Sequence, residues 1–122
     1  MNPLTLYLLI FTHQQEAIQE QIVQPRLPVN QERQLSIPEM IKQEGELAGL
    51  QAWEIDRLIA IAKCESGFRE DARNGQYLGI YQMGKHEFAT YGTGDPLNAR
   101  DNVKAAINLY LRRSFQPWQC KG

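Results

Sequence analysis

Apolar residues recur at helical spacing in two stretches of this chain. Between Trp53 and Glu65, Ile55, Leu58, Ile59 and Ala62 fall at i, i+3, i+4 and i+7, the stripe of an amphipathic helix with one packed face. Gly67, just beyond, offers a stop, because glycine accepts the left-handed conformation that closes many helices. The second stretch is ARDNVKAAINLYLRRSF, where Val103, Ala106, Ile107, Tyr110 and Leu111 keep the same spacing. Asp95, Pro96 and Asn98 mark its start, and Arg112 and Arg113 suit a C-terminal turn, where positive charge meets the negative end of the helix dipole.

Between the two helices the periodicity is lost. FREDARNGQYLGIYQMGKHEFATYGTGD is rich in Gly, Asn and Tyr. Its short apolar run YLGIYQM predicts a small hairpin or an irregular loop, and KHEFATY predicts one or two helical turns. Upstream, Ser36 and Glu39 match a capping box, with Pro38 tolerated in the first turn, so the folded domain is expected over residues 36–122. Residues 13–35, dominated by Gln and Glu and broken by Pro25 and Pro28, read as a tether or loosely helical arm. Residues 1–12 hold an apolar run from Leu4 to Phe11 that is too short to span a bilayer, which takes about 20 residues. No Lys or Arg precedes that run and no small-x-small site follows it, so it reads as a truncated export signal or a membrane tether through residues 3–11, or as an ordinary apolar helix.

Composition narrows the functions open to such a chain. It has 122 residues, enough for one domain with a core of ordinary size, and a monomer is expected. The formal net charge is -1, so there is no strong field to attract nucleic acid, which is not expected as a partner. The two cysteines, Cys64 and Cys120, lack the C-x-x-C spacing of zinc or redox sites and are either one disulfide or two buried thiols. No metal or other cofactor is expected. His13 lies in the tether and His86 has no partner at ligand spacing, while DARNGQ matches a calcium loop only at Asp71.

One residue stands out against the helical stripe. Glu65 follows Leu58 by seven residues, Ile61 by four and Ala62 by three, which holds its carboxylate over the inner face. Partial desolvation there would favour the protonated form, as a general acid requires. The same spacing fits a carboxylate in solvent at a helix end, or one paired with Arg69 or Lys63.

The segments CESGF, ARNGQYLGIYQM, YGTGDPLNARDN and FQPWQC, in this order over about residues 50 to 120, resemble the lysozyme-like lytic transglycosylase superfamily, especially small muralytic domains related to resuscitation-promoting factors. E-S-G alone is weak, but E-S-G followed by G-x-x-Q and a terminal W-x-C is specific. Phe68 departs from the small or polar residue that often follows E-S-G in the smallest of these domains, which leaves the subfamily open. The resemblance implies a mainly α, lysozyme-like domain, with helices around a sugar-binding cleft and a small irregular or β-like insertion. It implies Glu65 as the catalytic acid, Gln82 in the cleft with Gly79 beside it, and a Cys64–Cys120 bridge. A bridge would limit drift of the helix end that carries Glu65, and it points to an oxidising compartment, extracellular or in the cell envelope.

The implied partners are peptidoglycan glycan strands, cut at the β-1,4 bond between N-acetylmuramic acid and N-acetylglucosamine. Most glycosidases use two carboxylates. The sequence places no second one, since Asp71 falls in a predicted loop and Asp95 and Asp101 suit turn and cap positions. The family works with one glutamate, the substrate's N-acetyl group supporting C1 while the 6-hydroxyl closes a 1,6-anhydro ring. Tyr77, Gln82 and Tyr81 are the cleft-lining candidates, since aromatic faces stack on sugar CH groups and an amide both donates and accepts; each of them is also compatible with packing. Asn74 suits a turn with Gly75 or contact with an acetamido group, and Trp118 a core anchor beside the disulfide or a sugar platform. The alternatives are a hydrolytic muramidase, a non-catalytic wall-binding module and a plain helical interaction protein, the last of which would leave the aromatic, glycine-rich middle unexplained.

Overall fold

The computed structural model of the chain describes residues 34–121. The expectations for residues 1–33 lie outside the described residues. Four helices hold more than half of the described chain, and a small three-stranded antiparallel sheet sits between the second and third. Among the described residues no helix is long and apolar enough to cross a membrane.

Helix α1, Ile37–Leu47, begins at the Ser36–Glu39 capping box: Ser36 Oγ accepts the Glu39 N–H at 3.3 Å, and Glu39 Oε1 accepts the Ser36 N–H at 3.2 Å. Helix α2, Ala52–Ser66, starts where Glu54 accepts the Gln51 N–H at 2.9 Å, and it ends at Gly67 with φ 62°. The two helices meet closely at Gly45, where a Cβ would fall 2.7 Å from Ile55 Cγ1. A side chain at position 45 would require Ile55 to shift.

Strands β1 (Arg73–Asn74), β2 (Tyr77–Leu78) and β3 (Met83–Gly84) follow in sheet order, Asn74 opposite Tyr77 and Leu78 opposite Met83. Gly75 and Gln76 make the two-residue turn between the first pair. The YLGIYQM run holds β2 and the first residue of β3, joined by the four-residue loop 79–82. Helix α3, Lys85–Tyr91, runs directly on from β3. Helix α4, Ala99–Arg113, is capped by Asn98, whose side chain accepts the Asp101 N–H at 3.0 Å.

Helix α4 packs against α1 and α3, and α1 also against α2. Ile41, Leu58, Ile61, Ile80, Tyr81, Met83, Val103 and Leu109 form the centre of the core, so every element but β1 reaches it or borders it. The inner face of α4 is wider than the stripe predicted. Ala99, Asn102 and Ala105 are buried as well, because neighbours cover the helix on several sides. Leu111, expected inside, is 59% exposed, and Leu109 takes the buried place. After α4 the chain turns at Ser114 (φ 56°) and sends Phe115 and Trp118 back into the core.

Candidate active site

Glu65 is the penultimate residue of α2. The helix ends at once because Gly67 is left-handed, so the carboxylate is carried at a rigid tip and not on a loop. Glu65 is half-buried, and its Oε1 accepts the Cys120 N–H at 3.4 Å. Cys120 is tied to the same tip by a disulfide to Cys64, with a Cα–Cα distance of 6.0 Å across 56 residues of sequence. Among the described residues Glu65 has no ion pair. Arg69 turns instead to the Ser66 carbonyl, its Nε donating at 3.1 Å, and Glu65 Oε2 keeps no protein hydrogen-bond partner.

Beside that carboxylate runs a groove of about 240 Å³ lined by Glu65, Asn74, Tyr77, Gln82, Pro117, Trp118 and Gln119. The sheet gives one wall and the segment leading to Cys120 gives the other. Tyr77 is 44% exposed, its ring open to a ligand. Four residues singled out in the sequence, Glu65, Asn74, Tyr77 and Gln82, are therefore brought together.

Two others are not. Tyr81, a lining candidate, is fully buried, and its hydroxyl donates to the Leu58 carbonyl at 2.8 Å inside the core. Burial pushes its phenol well above the ordinary tyrosine range. No sugar can reach that ring, so Tyr81 is a packing residue. Gly79, placed beside Gln82 by the resemblance, does not line the groove. At φ 79° a Cβ there would come 2.3 Å from the Pro96 oxygen and 2.4 Å from Asn102 Nδ2, so glycine serves close backbone approach.

Trp118 is 4% exposed, donates from Nε1 to the Tyr81 carbonyl at 3.1 Å and packs its ring 5.7 Å from that of Tyr81. It is a core anchor that also borders the groove. Pro117 and Gln119 were not anticipated as lining residues; the signal lay in their position next to a cysteine bridged to the neighbour of Glu65. Asn102 was not anticipated either, although a polar residue on the inner stripe of α4 marks it.

Among the described residues the groove has one carboxylate. Asp101 Oδ2 accepts the Asp95 N–H at 3.0 Å and Asp95 Oδ1 the Leu97 N–H at 2.9 Å, so both build the turn before α4. Glu70 caps that helix by accepting the Ala99 N–H at 2.8 Å, and Asp71 is exposed outside the groove. A larger, more open depression of about 550 Å³ adjoins Glu54, Tyr110 and Arg113. Both oxygens of its carboxylate already accept a hydrogen bond, Oε1 from the Gln51 N–H and Oε2 from the Tyr110 hydroxyl. Among the described residues no three His, Cys, Asp or Glu side chains gather as metal ligands, and His86 is exposed. Comparison with protein-family models, curated proteins and solved structures returned no match.

Proposed function

We propose that the chain is a peptidoglycan lytic transglycosylase with a lysozyme-like fold, acting in the cell envelope or outside the cell on the β-1,4 bond between N-acetylmuramic acid and N-acetylglucosamine. The observation that carries this reading is a groove holding one carboxylate, at a helix tip, with an oxygen left free. A two-carboxylate mechanism needs a partner about 5 to 9.5 Å away across the sugar. The groove offers none among the described residues, so the second role passes to the substrate.

In this mechanism Glu65 protonates the glycosidic oxygen as the C1–O bond breaks. The neighbouring N-acetyl oxygen closes on C1 and spreads the positive charge. The 6-hydroxyl then attacks C1 and displaces the acetamido oxygen, its proton passes to the Glu65 carboxylate, and a 1,6-anhydro sugar leaves. The Tyr77 ring supports the chain of sugars by stacking, while Asn74, Gln82 and Gln119 supply neutral hydrogen-bonding groups. The Cys64–Cys120 bridge supports placement in an oxidising compartment.

Purified sacculi incubated with the protein should release muropeptides with the mass of the anhydro form. Glu65→Gln should cut release by at least about 100-fold, the usual weight of general acid catalysis, with thermal unfolding nearly unchanged. Hydrated products would point to a muramidase. Binding to sacculi without any release would leave a wall-binding module, and equal activity in the variant would remove Glu65 from the mechanism.

A further inference from the structure

Gln82 enters the groove from a turn that is held from behind. Asn102, fully buried on α4, donates from Nδ2 to the carbonyls of Leu78 at 3.0 Å and Pro96 at 2.9 Å, and its Oδ1 accepts the Tyr81 N–H at 2.8 Å. Both ends of the Gly79–Ile80 step are thereby pinned. On this fixed turn Gln82 takes φ 48°, a left-handed conformation that few residues with a side chain adopt. Its Nε2 directs its two hydrogens to the carbonyls of Ala72 at 3.2 Å and Gly79 at 3.0 Å. Rotating the amide by half a turn would place Oε1 against those two carbonyl oxygens, replacing two attractions by two repulsions. The fold therefore fixes which end of the amide is free. Among the described residues Oε1 has no hydrogen-bond partner, and Gln82 lines the groove.

We infer that Gln82 reads its ligand through Oε1 alone, as a hydrogen-bond acceptor, so that the groove selects a saccharide presenting an N–H or O–H donor opposite that atom. This rests on the reading of the groove as a sugar site. The Asn102 side chain acts one step behind as a positioning residue, because it sets the turn on which the amide is mounted. Selectivity at this point is then one of polarity: an ether or carbonyl oxygen facing Oε1 is refused, and an acetamido N–H or a ring hydroxyl is accepted.

The test uses the full chain carrying Glu65→Gln, labelled with ¹³C and ¹⁵N in its glutamines, and titrated with the β-1,4 tetramer of N-acetylglucosamine. The Gln82 signals are assigned by their loss in Gln82→Met. The expected result is a Gln82 Cδ resonance that shifts on binding while the Nε2 protons stay slow to exchange and unmoved. The β-1,4 tetramer of glucose separates the donors: a Cδ shift with both sugars assigns a hydroxyl, and a shift with the acetylated sugar alone assigns the amide N–H. A shift of the Nε2 protons with Cδ still, or a Gln82 that ignores a sugar which perturbs Tyr77, overturns the inference and leaves the sugar site standing. No response anywhere along the groove overturns both. Gln82→Met should weaken binding of the acetylated tetramer on the order of tenfold, as loss of one hydrogen bond does.

Discussion

Tyr81 and Tyr77 lie four residues apart in one short hairpin, yet one ring is sealed in the core and the other is open to the groove. The difference is set by the turn between them. Strand alternation places Tyr77 outward and Leu78 inward, after which the left-handed residues Gly79 and Gln82 reverse the chain and both Ile80 and Tyr81 fall on the inner side. A period-two pattern cannot be carried through such a turn, so the sequence alone could not separate the two tyrosines. Tyr81→Phe removes a buried hydroxyl bonded to the Leu58 carbonyl. It should cost about 1–2 kcal/mol, a fall in melting temperature of about 5–10 °C for a domain of this size. Activity on sacculi measured well below that temperature should hold. A selective loss of activity with the melting temperature unmoved would return Tyr81 to the ligand site.

At the level of helices, the local signals in the sequence were sufficient. The Ser36–Glu39 box, Gly67 and Asn98 all mark real ends, because caps depend on a few adjacent residues. What joins the helices was less legible. The Arg100 guanidinium pairs with Glu44 to tie α4 to α1, and the Tyr110 hydroxyl donates to Glu54 Oε2 to tie α4 to α2. These partners lie 56 residues apart in both cases, so no window of sequence relates them. The second tie predicts a pH profile. The Tyr110 hydroxyl, and after it the Gln51 N–H, hold the Glu54 carboxyl below its usual range. Burial, then the hydrogen bond and charge of Glu54, push the Tyr110 phenol up to about 12. A depressed carboxyl stabilises the fold fully above its unfolded value, about 4.3, and the benefit is lost as pH falls through the folded value. A raised phenol favours the fold below its unfolded value, about 10, and that benefit is lost as pH climbs toward 12. Tyr110→Phe should therefore flatten the acid limb of melting temperature against pH and lessen the alkaline one. A variant profile parallel to wild type at both ends would contradict the tie.

For the whole domain, the position of the groove follows from chain return. Its sheet wall is local to residues 74–82, and this aromatic, glycine-rich stretch was recognisable in advance. Its other wall comes from residues 117–119, held beside Glu65 by the long-range bridge between Cys64 and Cys120 and by the burial of Trp118 against Tyr81. Replacing both cysteines by serine should lower stability by up to about 4 kcal/mol in the chain-entropy account. Denaturant titration would read this as a lower midpoint, and an unchanged midpoint would show that the bridge does not constrain the unfolded chain. That same return path imposes an order in time. During synthesis the tip bearing Glu65 faces no second wall until residues 117–119 have been made. A nascent chain that stops short of residue 117 thus carries its acidic group without an enclosed cleft around it, and the groove matures only once that distant segment has emerged and packed.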